Sequence, residues 1–339
     1  MQDQASRCGF RELCRSGQPE RFSPDAVNRT TLALLILLFV LGFSVVTCPA
    51  QLAGNSGPLG SPVFTVSKEV QEVNLVLTVT NRWGHFVHNL TESDLSILDN
   101  DRPVEKITYF QPQTDLPLRV ALVVDTSSSI IHRFGFEQKA ATAFLHRVLR
   151  HDSDLALVIG FNQQVTVAQP ATEDMNLLSA GLKKLKPEGE TAVYDGVSVA
   201  CQELMHVKDN QPSRRAIILI TDGEDNHSRI GLQQAVERAL RVEAVVYVLS
   251  TNPEYTISLA EEGDRSMRHL AEATGGRLLR ADSQSDVASA FSKIAKELRS
   301  QYAIGYKPAN QGPDGLFHRL SVLGLKKFHL FHRSGYYAR

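Results

Sequence analysis

The sequence predicts an α/β fold, with a Rossmann-like, doubly wound and mainly parallel sheet that is flanked by a small β-sandwich. Between residues 117 and 299, short unbroken apolar runs alternate with stretches whose apolar residues recur at helical spacing. Such alternation is typical of parallel strands covered by helices on both faces. Before and after this region, at 63–112 and 300–339, apolar and polar residues alternate one by one, as in half-buried strands. A chain of 339 residues is long enough to form both parts.

The α/β region contains a series of short apolar segments with no polar interruption. These segments predict strands at Arg119–Val124, Leu155–Phe161, Ala216–Ile220, Ala244–Leu249 and Arg277–Leu279. The helical spacing between them predicts helices at Phe136–Leu149, Leu177–Leu185, Tyr194–Met205, Leu232–Leu240, Met267–Ala273 and Val287–Leu298. In a sheet of this kind, ligands bind beyond the carboxyl ends of the strands.

The two flanking segments show strand patterns of their own. In the first, Val73, Leu75, Leu77 and Val79 alternate with Asn74, Val76, Thr78 and Thr80, and further strands are predicted at Ser96–Leu98 and Lys106–Phe110. In the second, strands are predicted at Gln301–Tyr306, Phe317–Leu323 and, as one strand, Phe328–Tyr337. Because the two ends of a domain often lie close together, we expect these segments to pack with each other and the α/β domain to be inserted between them.

The N-terminal part, 1–50, contains an uncharged apolar run at 31–47 with Arg29 just before it. A positive flank on this side predicts an export signal or a retained membrane anchor, with the following domains outside the cytoplasm: periplasmic, secreted or membrane-anchored. At 17 residues the run is marginal for a spanning helix. Cys48 is an alternative lipidation site. Residues 51–62 are rich in Gly, Pro and Ser and predict a linker.

Several function classes have little support. The formal net charge is -1 and no long basic run occurs, so no nucleic-acid surface is predicted. HExxH, GxSxG and phosphate-loop motifs do not occur in the sequence. The four cysteines form no metal or disulfide framework, and Cys201 is expected to be a buried, inert thiol. The histidines are scattered and predict surface positions.

Five oxygen-bearing side chains are predicted to meet at one edge of the α/β sheet. Asp125 ends the first predicted strand, and Ser127 and Ser129 follow it in alternate positions; Asp222 ends a later strand, and Thr191 lies in a loop before a helix. Two carboxylates and three hydroxyls suit Mg²⁺ or Mn²⁺, with Ca²⁺ as a further candidate. So few anionic ligands leave the ion able to accept a carboxylate from outside.

The motifs DTSSS, GETAVYDG and TDGED resemble the metal-ion-dependent adhesion site of von Willebrand factor A domains, in the family's order and over Pro117–Arg299. The resemblance implies that Ser127 and Ser129 bind the cation directly, that Thr191 does so in some states, and that Asp125 and Asp222 often act through water. It also implies that ligand binding is linked to a shift of the last helix. The flanking strands are similar to those of exported acidobacterial proteins with this domain.

The expected function is an extracytoplasmic adhesion or assembly module, not an enzyme, whose divalent cation bridges to an acidic side chain of another protein. One alternative is a Mg²⁺-dependent hydrolase, although DTSSS lacks the second Asp of a phosphatase motif and no motif places a base, Lys or Arg beside the set. A structural envelope scaffold is another. In a purely structural interpretation, Asp125, Ser127 and Thr191 cap helices, and Asp222 belongs to a turn.

Overall fold

The structure is a computed structural model that describes residues 72–112, 115–209, 212–251, 259–281, 283–308 and 314–338. All of them belong to the unit Ser67–Arg339. The apolar run 31–47, Cys48, the linker 51–62 and the beginning of the 63–112 segment lie outside the described residues. None of the described helices combines the length and the apolar character needed to span a bilayer.

The elements are numbered in chain order. The strands are β1 (Val73–Asn81), β2 (Leu95–Asp99), β3 (Arg102–Pro103), β4 (Lys106–Pro112), β5 (Leu118–Asp125), β6 (Leu155–Phe161), β7 (Val165–Thr172), β8 (Arg214–Thr221), β9 (Ala244–Ser250), β10 (Leu278–Arg280), β11 (Tyr302–Lys307), β12 (Phe317–Gly324), β13 (Phe328–Phe331) and β14 (Gly335–Tyr337). The α-helices are α1 (Phe134–Val148), α2 (Met175–Lys184), α3 (Val193–His206), α4 (Leu232–Arg241), α5 (Leu259–Ala273) and α6 (Gln284–Glu297). Short 3-10 helices lie at Glu92–Asp94 and Ser128–Ile130.

The α/β part is built on a six-stranded sheet with the order β10-β9-β8-β5-β6-β7. Every neighbouring pair runs parallel except β6 and β7. The central strand β5 is buried along its whole length. Its alternate residues enter two separate cores, Val120, Leu122 and Val124 on the side of α1, α2 and α6, and Ala121 and Val123 on the side of α3, α4 and α5. The predicted doubly wound α/β fold is therefore confirmed.

Each predicted strand and helix of this region is present, with ends shifted by a few residues except at α5, which starts eight residues earlier than predicted. One strand, β7, was not predicted. It lies at the edge of the sheet, has no buried residue and contains Pro170. An edge strand needs neither an apolar run nor a complete hydrogen-bonding ladder, so its sequence carries little strand pattern.

The flanking segments form two four-stranded sheets, with the orders β13-β1-β11-β4 and β14-β12-β2-β3. Each sheet contains strands from both segments: β1 pairs with β11 and β2 pairs with β12, both antiparallel. Side chains of the two sheets share one core, which includes Leu77, Ile97, Tyr302, Leu320 and Tyr336. The predicted sandwich of N- and C-terminal strands is thus present. The single strand expected at 328–337 is wrong, because β13 and β14 join different sheets.

One histidine contradicts the expected surface position. His318 is 3% exposed and lies inside the sandwich, where its Nδ1 is 3.3 Å from Asp99 Oδ1. Asp99 also accepts hydrogen bonds from Tyr336 Oη (2.8 Å) and Tyr306 Oη (3.2 Å). Cys201 is buried as expected, and burial raises the pKa of its thiol to about 12, which keeps it protonated and unreactive.

Candidate metal centre

Asp125 lies at the carboxyl end of the central strand β5 and is fully buried. Its Oδ1 accepts the backbone N–H of Ser127 at 2.8 Å, and its Oδ2 accepts the hydroxyl of Thr221 at 2.8 Å. Thr221 ends the neighbouring parallel strand β8. These two bonds fix the carboxylate at the point where the loops after β5 and β8 begin.

The two serines of the following turn connect Asp125 to Asp222. The hydroxyls of Ser127 and Ser129 are 2.9 Å apart, and Ser129 Oγ donates to Asp222 Oδ2 at 2.5 Å. Ser127 is buried and Ser129 is exposed, so the chain of oxygen atoms runs from the interior to the surface. Four of the five residues singled out in the sequence are therefore in contact with one another.

The loop that carries Thr191 is held against the same turn by backbone hydrogen bonds. Glu188 N donates to Thr126 O at 2.7 Å, and Ser128 N donates to Gly189 O at 3.0 Å. Gly189 adopts a φ of +76°, a left-handed conformation that favours glycine, and a Cβ there would displace the Gln163 side chain, whose Oε1 would lie 1.7 Å away. Among the described residues, no hydrogen bond joins the Thr191 hydroxyl to the other four side chains. The structure thus brings Thr191 to the rim without direct contact.

None of the predicted capping roles is observed. The first N–H groups of α3 are capped from a distant loop: Val193 N donates to Asp225 Oδ1 (2.8 Å) and Tyr194 N to Ser228 Oγ (3.0 Å). Thr191 instead uses its backbone N–H, which donates to Asn226 Oδ1 at 2.9 Å. Ser127 precedes the 3-10 helix Ser128–Ile130, but its side chain makes no capping bond. The oxygens of Ser127 and Thr191 therefore do not serve as helix caps.

The two carboxylates raise the electrostatic cost of the site. Burial, and next the nearby charge of Asp222, raise the pKa of Asp125 to about 7, although the hydrogen bonds from Ser127 and Thr221 oppose the shift. Asp222 is 5% exposed, and its Oδ1 is buried with no hydrogen-bond partner among the described residues. A buried acceptor without a donor is costly. A cation at this rim would satisfy that oxygen and favour ionised Asp125.

The donor chemistry fits a hard divalent cation. Two carboxylates and three hydroxyls are oxygen ligands of the kind that Mg²⁺, Mn²⁺ and Ca²⁺ prefer. The described residues contain no group of three or more His, Cys, Asp and Glu side chains that could hold a metal. The site differs from such groups because hydroxyls supply most of its donors.

Sequence reasoning missed two charged residues beside the site, Arg133 and Glu137. The guanidinium of Arg133 lies 3.7 Å from Asp222 Oδ2 and 3.9 Å from Glu137 Oε1, and it donates to the backbone carbonyl of Thr251. Glu137 is fully buried in α1, and burial raises the pKa of its carboxyl to about 7 against the opposing charge of Arg133. The available signal was an Arg and a Glu four residues apart, beginning four residues after the end of DTSSS.

Helix α5 packs directly on the loop that carries Asp222. The next residue, Gly223, has a φ of +87°. A Cβ at Gly263 of α5 would lie 2.7 Å from the carbonyl oxygen of Gly223. The close approach of these two backbones fixes the position of Asp222 relative to the sheet.

Comparison with known proteins agrees with this fold. Residues 120–224 match the family model of the von Willebrand factor type A domain. The chain is 26% identical over 183 residues to calcium-activated chloride channel regulator 3A-1 of Mus musculus, covering 52% of this chain and 19% of that protein. It is 32% identical over 114 residues to an uncharacterized protein of Synechocystis sp., covering 33% and 26%. The chain thus matches about a fifth to a quarter of the length of these relatives.

A solved structure of a von Willebrand factor type A protein from Catenulispora acidiphila is also similar, with a TM-score of 0.47, 11% identity and coverage of 78% of this chain and 74% of that one. The family match covers β5, the turn with both serines, the Thr191 loop and the loop of Asp222. Within the α/β part, residues 120–224 are therefore similar to a von Willebrand factor type A domain.

Proposed function

We propose that this protein is a metal-ion-dependent protein-binding module that acts outside the cytoplasm in adhesion or assembly. Asp125, Ser127, Ser129, Thr191 and Asp222 hold one divalent cation, with Mg²⁺ as the first candidate. The cation bridges to a Glu or Asp of the partner protein. The module binds its partner and does not catalyse.

One observation carries this proposal: side chains from turns 93 residues apart meet in a continuous chain of oxygen atoms, Asp222–Ser129–Ser127. At the Asp222 end of this chain, Oδ1 is buried and has no hydrogen-bond partner among the described residues. Neither Ser127 nor Thr191 caps a helix, so helix capping does not compete with ligation by their hydroxyls.

Each residue has a separate role in this proposal. Asp125 is held by Ser127 N–H and Thr221, so it orients the turn as well as supplying charge. Ser127 and Ser129 supply neutral oxygens. Because neutral ligands leave much of the charge of the ion uncompensated, the ion attracts an external carboxylate. Exposed Ser129 marks the side from which that carboxylate approaches.

Cation binding is tested by thermal unfolding of the full chain in Mg²⁺, Mn²⁺, Ca²⁺ or EDTA. A ligand at 100 times its Kd stabilises the folded state by about 2.7 kcal/mol, which raises the Tm by roughly 5–10 °C for a domain of this size. We expect this shift in the wild type and not in Asp125→Ala. Asp115→Ala is the matched control, because Asp115 is exposed and forms a surface ion pair with Arg150. Equal Tm values of the wild type in Mg²⁺ and EDTA contradict the proposal.

Bridging to a partner is tested with acetate as the simplest carboxylate probe. Water-proton relaxation of the Mn²⁺-loaded protein should fall as acetate replaces a coordinated water. A cation that stabilises the protein but never accepts acetate indicates a structural metal, and it contradicts the bridging role.

The location outside the cytoplasm rests on the sequence of residues 31–47, which lie outside the described part of the chain. Protease added to intact cells that express the full chain should cleave the region after residue 71. Protection from protease in intact cells, together with cleavage after lysis, contradicts this location.

A further inference from the structure

Arg133 immediately precedes α1, and its side chain turns back toward the metal centre. It lies close to three groups from different parts of the chain: Asp222 Oδ2 at 3.7 Å, Glu137 Oε1 at 3.9 Å and the backbone carbonyl of Thr251, to which it donates. Only 22% of the Arg133 side chain is exposed. Contacts with three separate segments hold the guanidinium in place.

The surroundings of Arg133 carry more negative than positive charge. Asp125 and Glu137 are fully buried, and Asp222 is 5% exposed. Among the described residues, Arg133 is the ion-pair partner of both Asp222 and Glu137. The nearby Thr251 side chain lowers the pKa of the Glu137 carboxyl, but neither carboxylate oxygen forms a hydrogen bond of normal geometry within the described part of the chain. Buried carboxylates without donors depend on nearby positive charge.

We propose that Arg133 is the resident counter-cation of the metal centre: it compensates Asp222 and Glu137 in the metal-free protein and lowers the affinity of the site for a divalent ion. The claim that Arg133 lowers the affinity for a divalent ion rests on the proposed function. The claim that Arg133 compensates Asp222 and Glu137 does not need a metal. Two positive charges at one carboxylate compete, so the guanidinium and the ion oppose each other.

The direction in which cation affinity changes on removal of Arg133 separates a charge effect from a structural effect. If Arg133 only held the turn in shape, its removal would loosen the ligands and weaken cation binding. If it acts by charge, its removal strengthens cation binding while destabilising the metal-free protein. Arg133→Lys keeps the charge and should behave like the wild type.

The first measurement is the Mn²⁺ affinity of the full chain by electron paramagnetic resonance. We expect Arg133→Gln to bind Mn²⁺ about tenfold more tightly, which corresponds to about 1.4 kcal/mol, and Arg133→Lys to change less than threefold. Arg147→Gln is the matched control, because exposed Arg147 lies on the same helix about 20 Å further along and contacts Ser292. Unchanged or weaker Mn²⁺ binding by folded Arg133→Gln overturns the claim that Arg133 lowers the affinity of the site.

The second measurement is a double-mutant cycle in EDTA with Arg133→Gln, Glu137→Gln and the double variant, read by urea unfolding. Arg133→Gln should lower the urea midpoint more in the wild-type background than in the Glu137→Gln background. If the effects of the two substitutions are additive, the claim that Arg133 compensates Glu137 is overturned. If the wild type binds no Mn²⁺, the proposed function fails, and this cycle still decides the role of Arg133.

Discussion

Ser129 donates its hydroxyl hydrogen to Asp222 Oδ2 over 2.5 Å, and this bond joins the loop after β5 to the loop after β8. Replacement of Ser129 by Ala removes the only hydrogen bond that Asp222 accepts among the described residues and leaves a buried carboxylate with no donor. We expect a loss of about 1–3 kcal/mol in unfolding free energy in EDTA, measured by urea denaturation. In the proposed function, divalent stabilisation is lost as well.

The neighbouring Ser128 is a matched control for this variant. It is exposed, and no side-chain hydrogen bond is described for it. Ser128→Ala should keep both the unfolding free energy and the Mg²⁺ response within error. Equal losses from Ser128→Ala and Ser129→Ala would show that the whole turn matters and not the Ser129 hydroxyl.

Thr191 should matter for the cation and little for the fold. Its hydroxyl caps no helix, and among the described residues it forms no hydrogen bond with the side chains of the other four predicted ligands. The residue is nevertheless buried, at 4% exposed. Thr191→Val keeps the shape of the side chain and removes the oxygen. We expect weaker Mn²⁺ binding with a Tm in EDTA within about 2 °C of the wild type. Thr191→Ser should restore binding, and a Val variant with wild-type Mn²⁺ affinity would remove Thr191 from the ligand set.

A methyl group at Gly263 should displace the loop that carries Asp222 and so disturb the metal centre. Its Cβ would lie 2.7 Å from Gly223 O, so either α5 or the Asp222 loop must move. We expect Gly263→Ala to lower the unfolding free energy by about 1–3 kcal/mol and to weaken Mn²⁺ binding. Gly135→Ala in α1 is the control, because nothing lies within 4 Å of its Cβ position, and it should be neutral or stabilise by up to about 1 kcal/mol. Opposite results for the two variants would contradict the close packing.

Glu137 should make the metal-free protein less stable as pH rises. Burial raises the pKa of its carboxyl from an ordinary 4.5 to about 7, with Arg133, Thr251, Asp125 and Asp222 as its polar neighbours. Between these two values the folded protein binds a proton that the unfolded chain has lost, so the unfolding free energy falls as pH rises and levels off above the folded-state pKa. The shift corresponds to about 3 kcal/mol.

The comparison of Glu137→Gln with the wild type isolates this effect, since other titrating groups are common to both. In EDTA, the unfolding free energy of the variant minus that of the wild type should increase from pH 4.5 to pH 8. Urea denaturation at half-unit pH steps measures it. A constant difference over this range shows that Glu137 stays ionised in the folded protein or titrates normally.

Much of the fold could be predicted because burial leaves a direct pattern in the sequence. The core strands β5, β6, β8 and β9 each contain an unbroken apolar run, and their predicted bounds differ from the observed ones by at most two residues. The edge strand β7 could not be predicted, since none of its residues is fully buried and its sequence need not form an apolar run. The position of His318 was also unpredictable, because the Asp99 carboxylate that accompanies it is over 200 residues away in sequence.

The candidate site was predicted in part for a similar reason. Asp125, Ser127, Ser129 and Asp222 lie at the ends of recognisable strands, so strand ends alone bring them together. Arg133 and Glu137 lie at the start of α1 and not at a strand end. Their approach to the site depends on tertiary contacts, such as the hydrogen bond from Arg133 to the backbone carbonyl of Thr251. The capping of α3 by Asp225 and Ser228 likewise depends on tertiary contact. The predicted cation, export and acidobacterial grouping remain predictions.

The strand order β13-β1-β11-β4 has a consequence for biosynthesis. β1 and β4 are synthesised before β11, and among the described strands both form their ladders with strands of the C-terminal segment, β11 lying between them. About 220 residues must be translated between the end of β1 and the start of β11, which takes roughly 10–45 s at usual rates of elongation. During that interval β1 exposes Val73, Leu75 and Leu77 and two unpaired edges. We therefore expect the nascent chain to be prone to aggregation through this strand until β11 has been synthesised.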